Sequence, residues 1–191
     1  MPCPTVWFNK YLSNTWEVLA LVRDVRRPGE FRILCTHPRP SYAGRRHADA
    51  FEREPEGLGD AAYVDYCLEV ARRHAIQLFW PGRNLLAIVR ARKRFEDRGV
   101  RILAAADTST LALLQNKARV YVALSGEDVH VPEYAVVNDL KGFDAAWQRM
   151  RRKHRVLCCK PAVSVYGIGF HIVLDDDTQH QIGRASCRER V

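Results

Sequence analysis

The spacing of apolar and polar positions over the first 115 residues predicts alternating strands and helices. Short apolar runs predict four strands: "TVWF" (5–8), "FRILCT" (31–36), "IQLFW" (76–80) and "VRILA" (100–104). Helical spacing between them predicts helices that begin near Asn14 and Asp60, a helix that ends near Gly99, and a short helix after Asp107. Strands separated by helices are typical of a parallel sheet, so we expect a Rossmann-like α/β domain covered by helices on both faces. The polar stretch 37–59 is expected to be a long loop.

The pattern changes after about residue 116. A helix "NKARVYVALSG", a strand around "VHVPEYAVV", a helix "LKGFDAAWQRMRRKH" and the strands "RVLCCK" and "GFHIVL" are predicted in that order. This order predicts a small α+β unit whose sheet is not complete. The domains expected are therefore residues 1–115, which are Rossmann-like, and residues 116–181, which form part of a second domain.

Composition and charge narrow the class of partner. The sequence is 47% hydrophobic and 27% charged, as in globular proteins with a real core, and no apolar run approaches the ~20 residues that span a bilayer. The N-terminus lacks the order of a signal peptide, so a cytoplasmic location without a membrane partner is expected. A net charge of +8 favours an anionic partner. The basic residues are spread in short groups without an RNA-binding motif or zinc finger, which argues against nucleic acid.

No metal site is predicted within this chain. The seven histidines show no HxxH or HExxH pairing, and Asp175–Asp177 lacks the spacing of a calcium loop.

The last ten residues, "IGRASCRERV" (182–191), differ from everything before them. They match what a common sequencing-adapter oligonucleotide encodes when it is translated. We therefore expect a non-native tail at 182–191, which would make the chain an N-terminal fragment of a longer protein. The alternative is a short, disordered, basic C-terminus.

The stretch "CCKPAVSVYGIGF" (158–170) places Lys160 at the end of a strand, before a loop with two glycines. ATP phosphates need cations at fixed points, and glycines allow a backbone to approach closely. A hairpin with a solvated lysine is the simpler interpretation of this stretch when it is taken alone. The absence of GxGxxG after the first strand argues against dinucleotide binding, and the absence of GxxxxGK[ST] excludes a P-loop NTPase.

Three segments together resemble the start of an ATP-grasp enzyme: "LLQNKARVYVAL" (113–124), "VPEY" (131–134) and "LCCKPAVSVYGIGFHIV" (157–173). Within that superfamily the chain is most similar to the carbamoyl-phosphate-synthase large-subunit-like branch. The resemblance covers nearly all of residues 1–181. It implies a Rossmann-like pre-ATP-grasp domain, followed by an incomplete α+β first lobe. It also implies that ATP is bound by Lys117, Lys160, Ser164, Tyr166, Gly167 and Gly169.

The resemblance implies a ligase that uses ATP to convert a carboxylate, bicarbonate or carbamate into an acyl phosphate, which an amine or similar nucleophile then captures. The lysines would bind and neutralise phosphate rather than transfer protons. Mg²⁺ ligands are expected in a second lobe outside this chain, so we expect the 191-residue chain to be inactive and to bind ATP at best weakly. No catalytic residue is assigned.

Two alternatives stay open at this point. One is a non-enzymatic module that binds a nucleotide, another anion or nucleic acid through its basic surface. The other is a structural domain of a larger synthase, in which neither lysine contributes to binding.

Overall fold

A computed structural model of the protein describes residues 3–10, 14–164, 168–174 and 183–184. The chain divides into two compact units, Met1–Thr108 and Ser109–Val191, and each contains one sheet. The predicted domain ranges 1–115, 116–181 and 182–191 stay predictions. Within the described ranges, no helix is long and apolar enough to cross a membrane.

The first unit is built on a five-stranded sheet in which every pair of neighbouring strands is parallel. Its strands, in the spatial order β3-β2-β1-β4-β5, are β1 (Thr5–Phe8), β2 (Arg32–His37), β3 (Ala50–Arg53), β4 (Ile76–Trp80) and β5 (Arg101–Ile102). The helices of this unit are α1 (Thr15–Val25), α2 (Asp60–Arg73), α3 (Leu85–Arg90) and α4 (Arg92–Glu96), and α5 (Thr108–Leu114) begins at its last residue. The predicted Rossmann-like, mostly parallel sheet is confirmed.

Adjacent residues of the central strand β1 are buried on opposite faces of the sheet, as the two-residue period of a strand requires. Trp7 stacks on Phe79 at 3.8 Å between ring centroids, and Phe79 in turn contacts Phe95 of α4. Phe8 belongs instead to a buried cluster that includes Leu19 of α1. Helices therefore bury both faces of this sheet, and the first unit has a complete core.

The stretch 37–59 is not a simple loop, and the prediction was wrong there. It contains a 3₁₀ turn, Ala43–His47, and the short strand β3, which pairs with β2 from Leu34↔Ala50 to His37↔Arg53. Four residues with two charges carry little strand signal of their own, so their conformation is set by the neighbouring strand. The predicted helix end near Gly99 is confirmed, because Gly99 has a φ of +76° and the amide of Val100 bonds to the carbonyl of Phe95.

Besides nearly all of α5, the described part of the second unit contains two further helices and a small antiparallel sheet in the order β6-β7-β8. Its elements are α6 (Lys117–Leu124), α7 (Leu140–Met150), β6 (Val156–Cys159), β7 (His171–Leu174) and β8 (Gly183–Arg184). Where the structure describes side-chain burial, no residue after Leu111 is buried. This unit therefore lacks a closed core in its described part, which agrees with the predicted incomplete lobe.

Two details of the second unit bear on the sequence predictions. The strand predicted around "VHVPEYAVV" is wrong, because residues 131–137 are irregular and pair with no described strand. Pro132 has no amide hydrogen to give to a sheet. The two residues of β8 fall within the predicted non-native tail and pair with His171 and Ile172 of β7, and the non-native origin of the tail stays a prediction.

Candidate functional site

A cavity of about 390 Å³ lies within the second unit. This is the size of small-molecule sites in proteins, which span about 300–1,000 Å³. Its walls come from α6, the irregular segment 132–137, α7 and the end of β6. The lining side chains include Lys117, Tyr121, Phe143, Trp147, Met150, Cys158, Cys159 and Lys160.

Lys117 is the first residue of α6 and holds the loop that follows β6. The helix begins there because the Asn116 side chain caps it, accepting a 3.1 Å hydrogen bond from the amide of Arg119. The backbone amide of Lys117 donates to the carbonyl of Ala162 at 2.8 Å. Its Nζ donates to the backbone oxygen of Ser164 at 2.8 Å and to the Ser164 hydroxyl at 3.0 Å. Lys117 and Ser164, both predicted site residues, are therefore in direct contact.

Lys160 directly follows β6, and its side chain contacts α6. Its Nζ donates a 2.8 Å hydrogen bond to the hydroxyl of Tyr121 and lies 5.0 Å from the centre of that ring. Tyr121 is one helical turn after Lys117. The Lys117 side chain and the Tyr121 side chain that Lys160 contacts therefore lie on the same face of α6. Two cations from distant parts of the sequence thus line one cavity.

Gly169 is required at its position near the end of the loop. Its φ is +74°, and a Cβ there would lie 2.7 Å from Cγ of Pro161. Any other residue would therefore be strained and would collide with the residue next to Lys160. The remaining predicted site residues, Tyr166 and Gly167, lie outside the described residues.

An aromatic and apolar wall completes the cavity. Phe143, Trp147 and Met150 of α7 all line it, so one apolar face of this helix borders the cavity. The ring centroids of Phe143 and Trp147 lie 6.5 Å apart in a stacked arrangement, and those of Tyr121 and Tyr134 lie 5.1 Å apart. Apolar walls with a few converging polar groups are typical of sites for small molecules.

A carboxylate also lines the cavity, and the sequence analysis missed it. Glu133 accepts hydrogen bonds from His154 at 3.1 Å and from Lys153 at 3.4 Å. The hydrogen bond from His154, with Lys153 beside it, holds the pKa of the Glu133 carboxyl below its usual range. Glu133 and His154 are 21 positions apart, so no short sequence motif contains both residues. Tyr121 was also missed, although its spacing of four residues from Lys117 was a usable signal.

Among the described residues, no group of three or more His, Cys, Asp or Glu side chains is placed to hold a metal. No chemical step is therefore assigned to a metal at this cavity.

Comparison with known proteins finds solved structures with a similar fold. No protein-family model matches the sequence, and no curated protein matches it. The biotin carboxylase domain of a single-chain bacterial carboxylase matches with a TM-score of 0.54 and 22% identity over 81% of this chain. The biotin carboxylase domain of Hydrogenobacter thermophilus 2-oxoglutarate carboxylase, in complex with MgADP, ADP and bicarbonate, matches with a TM-score of 0.61 and 14% identity over 90% of this chain. An ADP complex of N5-carboxyaminoimidazole ribonucleotide synthetase matches with a TM-score of 0.62 and 12% identity over 92% of this chain.

These three proteins are ATP-grasp enzymes, and the chain shares the fold of part of each. It spans 36% of the first, 38% of the second and 42% of the third. The predicted fold class, a Rossmann-like domain with a mostly parallel sheet followed by a smaller α+β unit, is confirmed.

Proposed function

We propose that the chain forms the N-terminal, nucleotide-binding part of an ATP-grasp ligase, in which Lys117 and Lys160 bind the phosphates of ATP. The convergence of these lysines on one cavity carries the proposal. They come from a helix start and a strand end, and hydrogen bonds to Ser164 and to Tyr121 hold the Lys117 and Lys160 ammonium groups. The ATP-grasp fold supports the same assignment.

The proposed chemistry is a phosphoryl transfer followed by an acyl transfer. A carboxylate, bicarbonate or carbamate oxygen attacks the γ-phosphorus of ATP, the bond from that phosphorus to the β–γ bridging oxygen breaks, and ADP leaves. The acyl phosphate then loses phosphate when an amine or similar nucleophile attacks its carbonyl carbon. Lys117 and Lys160 neutralise phosphate oxygens in both the ground state and the transition state, and they transfer no proton.

The whole reaction is proposed for a protein longer than this chain. The chain spans 36–42% of the three structures compared above, and its described residues hold no cluster of three or more metal-ligating side chains. Ligands for Mg²⁺, and the acid-binding residues of a carbamoyl-phosphate-synthase-like enzyme, are therefore proposed to lie in a second lobe. A cytoplasmic location is part of the proposal, and the free cysteines of the described residues agree with a reducing compartment.

The test compares ATP binding by the unaltered chain with that of Lys117→Met and Lys160→Met. Each variant should weaken ATP binding about tenfold or more, because each removes a charge-assisted contact to phosphate. Lys141→Met is the matched control, since Lys141 is an exposed lysine of α7 that does not line the cavity. Equal binding by all four proteins would support a purely structural domain instead. In an ADP-release assay, the chain alone should show no turnover, and turnover comparable to that of an intact ligase would contradict the proposal.

Salt dependence separates this proposal from a nucleic-acid-binding module. Binding of single-stranded DNA through a spread basic surface should fall by about 10³-fold or more between 50 and 200 mM salt. ATP bound in a partly enclosed cavity should lose far less affinity, and the loss should depend on Lys117 and Lys160. Tight, steeply salt-dependent DNA binding that is unchanged in both lysine variants would favour the module.

A further inference from the structure

Tyr121 makes the hydrogen bond that fixes the Lys160 ammonium within the described part of the cavity. Nζ of Lys160 lies 2.8 Å from the Tyr121 hydroxyl and 5.0 Å from the ring centre. The 2.8 Å separation is that of a hydrogen bond in which the hydroxyl oxygen is the acceptor. A lysine side chain has four rotatable bonds, so an acceptor at its tip removes much of the freedom that phosphate binding would otherwise have to restrict.

The position of Tyr121 is itself well defined. Its backbone lies in α6, where its carbonyl accepts hydrogen bonds from the amide and the hydroxyl of Ser125. Its ring packs 5.1 Å from Tyr134. Lys117 sits one turn earlier on the same helix, so the acceptor for one lysine and the ammonium of the other belong to one rigid element.

We propose that Tyr121 is a positioning residue that sets the location of the Lys160 ammonium for phosphate binding. The inference rests on the proposed function, because it assigns Lys160 to ATP. Tyr121 itself contributes no charge. It acts by presenting one hydroxyl acceptor at a fixed point beside the strand end that carries Lys160.

The first measurement needs no nucleotide. Limiting acetylation with acetic anhydride, followed by peptide mass spectrometry, reports how readily each lysine amine reacts. In Tyr121→Phe the ring stays and the acceptor is lost, so Lys160 should react about twofold to fivefold faster. Lys141 should keep its rate, and an unchanged pattern at the other lysines shows that the variant is folded. An unchanged Lys160 rate would overturn the inference.

The second measurement compares affinities for ATP and for adenosine. Tyr121→Phe should weaken ATP binding about threefold to tenfold and leave adenosine binding unchanged, because only ATP uses the ammonium. In the Lys160→Met background, Tyr121→Phe should have no further effect, since the group that it positions is gone. Tyr66→Phe, in the first unit, is the matched control and should bind ATP as the unaltered chain does.

The outcomes separate this inference from the proposed function. If Lys117→Met and Lys160→Met leave ATP binding unchanged, the proposed function fails. If both lysine variants weaken binding while Tyr121→Phe does not, the inference alone fails. Additive losses in the double variant, or an equal loss of ATP and adenosine binding in Tyr121→Phe, would show general damage to the cavity and would also overturn it.

Discussion

The ammonium of Lys117 donates hydrogen bonds to both the backbone oxygen and the hydroxyl of Ser164, 47 positions further along the chain. A single side chain at the start of a helix therefore anchors the loop that follows β6. At the other end of the same loop, Gly169 packs against Pro161. The described parts of this loop are thus tied to α6 through Lys117 and to Pro161, the residue next to Lys160.

Replacement of Gly169 by alanine should open the loop. The φ of +74° is unfavourable for alanine, and the new Cβ would lie 2.7 Å from Cγ of Pro161, so we expect a cost of about 1–3 kcal/mol in local stability. Hydrogen exchange of the β6 and β7 amides should become faster. Gly126→Ala is the control, because a Cβ there meets nothing within 4 Å. Unchanged exchange in Gly169→Ala would show that the loop does not depend on this contact.

The buried carboxylate of Glu54 should be essential to the first unit. It is 1% exposed and accepts hydrogen bonds from the backbone amide of Lys10 and from the side chains of Thr36, Tyr63 and Arg83. In Glu54→Gln an amide NH₂ group replaces one carboxylate oxygen and faces groups that are themselves hydrogen-bond donors. The free energy of unfolding should therefore fall by about 2–4 kcal/mol. Urea unfolding measures this, with exposed Glu56→Gln as the control. A loss in Glu54→Gln no larger than in the control would contradict the structural role.

Asp49 should contribute stability that disappears in acid. The hydrogen bond from Arg26, reinforced by the amide of Ile33, lowers the pKa of the Asp49 carboxyl from its usual 3.8. A carboxyl with a lowered folded-state pKa stabilises the fold fully above the unfolded value, and this stability is lost as the pH falls through the folded value.

Asp49→Asn should therefore reduce the free energy of unfolding by about 1 kcal/mol at pH 7, a modest figure because the pair is partly exposed. The difference from the unaltered chain should shrink as the pH falls below about 4. Urea unfolding at pH 7 and near pH 3 checks this. Asp97→Asn, which breaks an exposed ion pair with Lys93, should change little at either pH. A difference that grows in acid would be the opposite of the expected sign.

Thiol reactivity should divide the cysteines by location. Burial raises the pKa of Cys35 to about 12 and also raises the pKa of Cys67, so both should resist N-ethylmaleimide in the folded chain. Cys158 is exposed and lines the cavity, so it should react first. ATP should slow the labelling of Cys158 if the nucleotide occupies this cavity. Cys3, which lies outside the cavity, is the internal control for general protection.

Much of the fold follows from local sequence patterns. The buried strand "IQLFW" and the glycine end of the helix before β5 are set by residues close in sequence, and both are confirmed. The strand β3 was missed because its pairing with β2 determines it. The strand predicted around Pro132 was wrong because apolar alternation there does not compensate for the missing amide hydrogen and strand partner.

The site divides in the same way. Lys117 and Lys160 could be singled out only through the resemblance to ATP-grasp enzymes, because a lysine at the start of a helix or the end of a strand is by itself no signal of a site. The contact between Lys160 and Tyr121 joins residues 39 positions apart and depends on how β6 meets α6. Glu133 and His154 likewise meet only in the folded second unit.

Hydrogen–deuterium exchange with and without ATP tests the central claim most directly. If Lys117 and Lys160 bind the phosphates, ATP should slow exchange in peptides that cover 117–124 and 156–164, and Lys160→Met should abolish the effect. Peptides of the first unit serve as the internal reference. Protection confined to the basic helices of the first unit, or protection that persists in Lys160→Met, would contradict the account.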